Sequence, residues 1–392
     1  MATTFTDLQN GFFNAFTTGL GLSGGSFQLL QPSTPLLSGP QADQALWDYF
    51  NNIPPFSLTQ NYVASGGNQF FSDYRGLLSA LQGTPNTFRQ DIGDETYAAW
   101  VQYLPTVTPR PTSSQLAQVF FDWAMVYYPD LASVGASDLA QIALDPITSA
   151  QMTLLAYPNG SRPDWNLGYA ALVQQLNNAP SRAFTVSSST MNSNVSKTWT
   201  QGSNSGFFGL WGGSSYESKE SSKFAAEGVR VSASFNHVMT FQASPGAWYS
   251  SAAMGSAYSH QTGLPWKSTS TINWQNTFDP KTGNMSRFAV NLIVADAMQV
   301  QVDSVAKFSS EERQTIRNNS SAGMWPFYSQ GGSSGSDTKV NFNDDGQMTV
   351  TITSQPGVPV VLGVNVVPAQ QFVGHGVVAA QALSALALAK AA

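Results

Sequence analysis

Residues that could carry out chemistry are few in this chain and lie far apart. There are three histidines, His237, His260 and His375, and no cysteine. A protein metal site usually takes two or three ligands at short, regular spacing, whereas these histidines lie 23 and then 115 residues apart. The sequence therefore predicts no metal site, no thiolate chemistry and no cofactor.

Two short segments imitate functional motifs without the context that those motifs need. Residues 331–335 match the G-x-S-x-G pattern around Ser333, but they lie in a Gly/Ser-rich run and not between a strand and a helix. Residues 341–346 resemble the start of a calcium loop, yet the twelfth position would be Ile352 where a glutamate is required. A tight β-hairpin with Gly346 in its turn is the better interpretation. An enzyme of unrecognised type remains a third hypothesis, because missing motifs are weak grounds for excluding catalysis.

Charged residues are unusually sparse. Asp, Glu, Lys and Arg make up 10% of the chain, compared with about 25% in typical soluble domains. Ser, Thr, Asn and Gln carry the polarity instead, and burying a neutral amide or hydroxyl costs much less than burying a charge. Such a surface suits contact with other copies of the chain. The leading hypothesis is therefore a non-catalytic, self-associating protein whose partner is itself, in a homo-oligomer or a larger assembly.

The charge distribution and the first residues of the chain indicate which partners and which location to expect. The net charge is −6, the pI is near 5.0, and none of the 17 Lys and Arg residues forms a run, so nucleic acid is not an expected partner. The first residues lack the features of a secretory signal, and no window approaches the ~18 apolar residues of a spanning helix. The expected location is cytoplasmic, with release by lysis or a non-classical route as the alternative.

Two strand-like runs flank an apolar loop tip in the middle of the chain. Residues 184–202 and 228–241 are rich in Ser and Thr. The second run alternates apolar and polar residues as a strand with one buried face does, with Val229, Val231, Ala233 and Phe235 on one face and Arg230, Ser232 and Ser234 on the other. The tip between the runs contains four large apolar residues: Phe207, Phe208, Leu210 and Trp211. Either these side chains fill a gap in the core, or they are exposed and bind a partner subunit or a lipid surface.

The exposed tip leads to a second hypothesis, a membrane-acting, pore-forming-like protein that inserts the 184–241 hairpin into a bilayer. Such a hairpin needs an apolar face along its full length. The first run does not keep one, because polar residues continue the side that begins with Phe184 and Val186. These residues are Ser188, Thr190, Asn192 and Asn194. Self-association is therefore preferred over insertion.

Aromatic residues at the start of the chain are further candidates for an interaction site. Residues 5–22 place Phe12, Phe13 and Phe16 in a helical stripe that is almost uncharged. This helix is expected to dock on its own subunit or on a neighbouring one. A membrane-surface helix is the alternative, although such helices usually carry Lys or Arg on their polar face.

Tryptophans in the second half of the chain have two interpretations. They either belong to a core or form a platform on which sugar rings stack. The residues concerned are Trp199, Trp211, Trp248, Trp266, Trp274 and Trp325.

The spacing of apolar residues changes near Pro180. Before it, spacings near four predict about seven helices, with a loop at residues 31–41. The clearest helical pattern lies at residues 68–82, which contain Phe70, Phe71, Tyr74, Leu77, Leu78 and Leu81. After Pro180, alternation predicts strands, the last being an edge strand at residues 358–367. The predicted fold class is α+β, in which a helical domain (1–180) precedes a predominantly antiparallel, sandwich-like β domain (181–376). That domain contains a long loop at residues 202–227, and an apolar helical tail (377–392) follows it.

Overall fold

The structure, a computed structural model, describes residues 5–54, 67–190, 223, 227–319 and 336–374. It confirms the α+β class, because most of its helices precede an antiparallel sheet. The helices in the first half of the chain are α1 (Phe5–Gly19), α2 (Ala42–Asn51), α3 (Phe70–Ala80), α4 (Phe88–Ile92), α5 (Asp94–Tyr103), α6 (Leu116–Tyr127), α7 (Ala132–Ile142), α8 (Pro146–Thr153) and α9 (Tyr169–Leu176). Four more described helices lie among or after the strands: α10 (Ser251–Ser259), α11 (Trp274–Phe278), α12 (Ser310–Asn319) and α13 (Ala369–Gly374).

Local sequence explains where several of these helices begin. Asp145 precedes α8, and its carboxylate accepts hydrogen bonds from the backbone N–H groups of Ile147 and Thr148, while Pro146 occupies the first helical position, where no N–H is needed. Asn273 precedes α11 and forms a reciprocal capping box with Asn276.

Seven strands form one antiparallel sheet in the described part of the chain. They are β1 (Phe27–Pro35), β2 (Arg182–Ser187), β3 (Val229–Phe241), β4 (Arg287–Lys307), β5 (Ser336–Phe342), β6 (Gln347–Ser354) and β7 (Val360–Pro368). The order is β1-β7-β4-β3-β2, and β6, with β5 on its other side, also pairs with β4. The predicted hairpin between β5 and β6 is confirmed, with Gly346 at φ 80° in its turn.

Strand β1 corrects two predictions. Residues 31–35 were expected in a loop, but they belong to β1, which pairs with β7 from Phe27↔Asn365 to Pro35↔Val360. The prolines that suggested a loop are tolerated because β1 lies at the edge of the sheet and its register shifts between Leu29 and Thr34. As a result, β7 lies between β1 and β4, so the prediction of an edge strand at residues 358–367 is wrong.

Strand β4 is the longest strand, at 21 residues, and the sheet divides along it. Its first half pairs with β7 up to Ala295, and its second half pairs with β6 from Gln299 onward. At the division, Ala297 has a φ of 49° and the Asp296 carboxylate accepts a hydrogen bond of 2.8 Å from the Gly357 backbone N–H. The described strands thus form a single antiparallel sheet that divides along β4.

An aromatic core joins the helices to the sheet. The Phe70 ring of α3 contacts Trp248 at 5.1 Å and Phe288 of β4 at 4.8 Å between centroids. Trp248 is fully buried and Trp266 is 7% exposed, so these two tryptophans belong to the core and do not form a sugar platform. The domain boundary near residue 180 stays a prediction, although β1, from before it, is part of the sheet.

Candidate functional site

One face of the sheet is polar and lies at the surface, where five strands run side by side: β5, β6, the second half of β4, β3 and β2. We call this surface the polar face. Residue pairing across the strands arranges it in three rows of five side chains. The rows are Asp337-Thr353-Gln299-Ser234-Ala183, Lys339-Thr351-Gln301-Ser232-Thr185 and Asn341-Thr349-Asp303-Arg230-Ser187. Each of these residues is exposed or half-exposed, while the residues between them in β3, β4 and β6 are mostly buried.

The polar face is nearly neutral and its side chains bind one another. Of the fifteen residues, ten carry a hydroxyl or an amide, and the charged ones are two acids (Asp303, Asp337) and two bases (Arg230, Lys339), which sum to zero. The Asp303 carboxylate accepts hydrogen bonds from the Thr349 hydroxyl at 2.8 Å and from the Gln301 amide at 3.0 Å. The polar face therefore has little net field, although its share of charged residues is higher than the 10% of the whole chain.

Helix α1 covers the opposite, apolar face. The Phe16 ring contacts Phe184 of β2 at 5.7 Å and Phe235 of β3 at 6.0 Å, and Phe13 stacks on Phe27 at 6.0 Å. Phe13 and Phe16 are fully buried. The helix was expected to dock on its own subunit or on a neighbouring one, and in the structure it packs on its own subunit. These two rings therefore present no surface to a partner or a membrane. The side chain of Phe12 lies outside the described residues.

Strand β2 forms one edge of the sheet, since no described strand pairs with its outer side. The backbone of Ser188 donates to Val229 at 2.7 Å and that of Val238 donates to Pro180 at 3.1 Å, which shows that the even-numbered residues direct their N–H and C=O groups toward β3. Because these directions alternate along a strand, the backbone groups of Ala183, Thr185 and Ser187 point outward. The Ser187 carbonyl also accepts a bond of 3.0 Å from Thr190.

The predicted pairing of the two central runs is confirmed, because β2 and β3 are adjacent antiparallel strands from Arg182↔Phe235 to Ser187↔Arg230. The loop tip between them, with Phe207, Phe208, Leu210 and Trp211, lies outside the described residues. The same is true of Ser333 and His375. The sequence identified Ser232 and Ser234 on a polar strand face, but it did not indicate that Thr349, Thr351 and Thr353 of β6 share that face.

Neither of the two described histidines forms part of a reactive cluster. The His237 Nδ1 atom lies 2.7 Å from the Ala179 carbonyl oxygen, and the His260 Nδ1 atom lies 2.8 Å from the Ser256 carbonyl oxygen. Both histidines thus contact backbone carbonyl oxygens near the C-terminal ends of helices, α9 for His237 and α10 for His260. Within the described ranges, no group of three or more His, Asp or Glu side chains could hold a metal ion.

An open cleft of about 520 Å³ between residues 84–87, α7 and α8 contains two aspartates, Asp138 and Asp145, whose pKa values move in opposite directions. Burial, followed by repulsion from and hydrogen bonding to Asp91, raises the pKa of Asp138. Burial alone would raise the pKa of Asp145. Hydrogen bonds from the Thr148 side chain and from the backbone N–H groups of Thr84, Thr148 and Ile147 outweigh it and lower the pKa below its usual value. Opposed shifts can mark an acid–base pair. Here the Asp145 oxygens are occupied by the helix end that they cap, so the cleft is explained by local structure.

A further perturbed carboxyl lies in α3. Asp73 is half-buried, its Oδ2 atom has no hydrogen-bond partner, and burial raises its pKa to about 6. It is not among the residues that line the cleft. An isolated, partly buried acid of this kind affects stability and gives no indication of catalysis.

Comparison of the chain with known proteins, and a search of its described helices for membrane spans, identify no further feature. No protein-family profile, curated protein or solved structure matches the chain. In the described part, no helix combines the length and apolar character needed to cross a bilayer.

Proposed function

We propose that this is a non-catalytic protein that associates with copies of itself through its sheet. The observation that carries the proposal is the polar face, in which ten of fifteen surface side chains are neutral hydroxyls or amides and the four charges cancel. A contact between two such faces would bury hydroxyls and amides that can bond to one another, and it would bring no excess of like charge together.

Sedimentation velocity from about 1 to 100 μM protein tests this proposal, because the monomer mass is 42.0 kDa. We expect species of at least twice that mass at the higher concentrations. Since the surface is neutral, the distribution should change little between low salt and ~0.5 M NaCl, whereas association by opposite charges would weaken. A single 42.0 kDa species at every concentration and salt level would refute the proposal.

A membrane-acting role is a second candidate, and one observation favours it. Ser188 and Val229 are held together at the end of the β2–β3 pair, so the segment between them begins and ends at the same place. Residues 207–211 lie near the middle of that segment, as expected for the tip of an inserting hairpin.

Dye release from liposomes distinguishes this candidate from self-association alone. An inserting protein should release the dye, and Trp211→Ser should reduce release several-fold while leaving the sedimentation profile unchanged. Trp274→Ser serves as a control for the loss of a tryptophan elsewhere. If the wild-type protein releases no dye from neutral or anionic vesicles, the membrane role is wrong.

A further inference from the structure

The edges of the sheet differ in how they are protected against pairing with other strands. Edge strands usually carry prolines, bulges or charges that prevent such pairing. Strand β1 has Pro32 and Pro35 and an irregular register, and β5 has Asp337 and Lys339, which form an ion pair at 3.2 Å. Strand β2 has no proline and no register shift, and its only charge is at its first residue, Arg182.

We infer that β2 pairs antiparallel with β2 of a second copy, across a two-fold axis at Thr185. This inference rests on the proposed self-association and adds to it a second contact, along the edge of the sheet, that leaves the polar face exposed. The occupant is a second copy because the segment complements itself. With Thr185 opposite its own equivalent, Phe184 lies beside Val186 of the other copy, and Ala183 lies beside Ser187.

Side-chain burial supports a continuation of the sheet beyond β2. Phe184 and Val186 point to the apolar face, yet both remain half-exposed, unlike Ala233 and Val231 opposite them in β3. No described strand lies on their outer side, where a neighbouring strand would cover them. A second β2 would place its own Val186 and Phe184 there and would extend the apolar face from one copy into the next.

The charges also permit this arrangement. Arg182 of one copy would face Ser188 of the other, and the two arginines would lie at opposite ends of the paired segment, about 20 Å apart at ~3.3 Å per residue. The polar faces of the two copies would join without a charged seam, because Ala183, Thr185 and Ser187 are the residues at the junction.

The outward backbone groups supply the bonds. The N–H groups of Thr185 and Ser187 and the C=O groups of Ala183 and Thr185 would form about four hydrogen bonds with the same groups of the other copy. The Ser187 carbonyl is not counted, because it already accepts from the Thr190 backbone N–H and from the Thr190 hydroxyl, each at 3.0 Å. An interface of one short strand buries little area, so the dimer should be weak and concentration-dependent.

Thr185→Pro tests the pairing directly. Proline removes an outward N–H and leaves the bonds between β2 and β3 in place, since the inward groups belong to even-numbered residues. We expect the dissociation constant to rise about tenfold or more, as measured by sedimentation velocity. Thr185→Val keeps the N–H and removes only the hydroxyl, so this matched control should dimerise like the wild-type protein.

A charge exchange keeps the inference testable if the proline variant does not fold. Thr185→Lys and Thr185→Glu should each dimerise more weakly alone, because like charges would face each other at the axis, and an equimolar mixture should recover dimers. A chain without cysteine also allows a single thiol to be introduced. Thr185→Cys should form a disulfide-linked dimer on oxidation, since directly opposite residues lie within disulfide range, and the exposed control Ser234→Cys should not.

The outcomes separate this inference from the proposal on which it rests. If the wild-type protein self-associates and the proline and charged variants associate equally well, the β2 contact is wrong and self-association stands. If the wild-type protein is monomeric throughout, both are wrong. If the mixture recovers dimers and Thr185→Cys cross-links, the β2 pairing is supported.

Discussion

Asp73 should make the folded protein less stable above pH 6 than below pH 4. Its half-buried carboxyl has a pKa of about 6 because of burial, compared with an ordinary value of 3.8. Between these two pH values the folded chain keeps a proton that the unfolded chain releases. The unfolding free energy therefore falls as the pH rises from about 4 through 6, and the loss is complete above that window.

The size of the loss in unfolding free energy follows from the pKa shift of Asp73, reduced for the solvation of the carboxylate and for the dipole of α3. A difference of about two pKa units corresponds to ~3 kcal/mol. Part of the carboxylate remains solvated, and its place in the first turn of α3 favours negative charge by about 0.3–1 kcal/mol. We expect Asp73→Asn to gain about 1–2 kcal/mol at pH 7.5 and to be nearly neutral at pH 4. With an unfolding entropy of ~2.1 cal/mol/K per residue, the Tm at pH 7.5 should rise by about 1–3 °C.

Thermal unfolding of the wild-type, Asp73→Asn and Asp130→Asn proteins, followed by circular dichroism at about pH 4, 6 and 7.5, provides the test. Asp130 is exposed, so its variant controls for the loss of one charge. The reasoning fails if Asp73→Asn raises the Tm by the same amount at every pH, or if it lowers the Tm at pH 7.5. A gain that appears only above pH 6 identifies the titration of this side chain as the cause.

Two further substitutions test local features of the fold. Gly346 and Gly357 both have φ near 80°, but a Cβ at Gly346 would lie 2.6 Å from the Phe308 carbonyl oxygen, whereas a Cβ at Gly357 meets nothing within 4 Å. Gly346→Ala should therefore destabilise the protein by about 2–4 kcal/mol and Gly357→Ala by about 1–2 kcal/mol in urea unfolding, and equal losses would contradict the contact. Asp145→Ala should cost about 1–2 kcal/mol by removing the cap of α8. Because the folded pKa of Asp145 is lowered, this loss should disappear as the pH falls below about 3.8, and a pH-independent loss would rule out the carboxylate as its source.

The sequence predicted best where one local rule determines the structure. The alternation of Val229, Val231, Ala233 and Phe235 predicted a strand with one buried face, and β3 has that pattern. Gly346 predicted the turn of the β5–β6 hairpin because few residues adopt a positive φ. The run of Phe70, Tyr74, Leu77 and Leu78 predicted α3, and all four side chains are buried.

Predictions failed where a distant partner determines the structure. Residues 31–35 contain two prolines and few apolar residues, so no local signal indicates a strand, and β7, more than 300 residues away, supplies the pairing. The edge position assigned to residues 358–367 was wrong for the same reason. The polar face was not predicted, because its three rows depend on the register of five strands, and none of the interaction residues named from the sequence belongs to it.

Strand β4 explains why this polar face is available at all. Along Arg287–Asp296 most side chains are buried on both faces, because helices cover that half of the sheet. After the division at Ala297, exposed and buried residues alternate, and the described helices cover only the side of Val300 and Val302. The same strand thus changes from a fully enclosed element to a half-exposed one within a few residues. The four charges on the outer side of this half sum to zero, and the edge strand beside it has no charge from Ala183 to Ser187. Both features are consistent with a surface that contacts another copy.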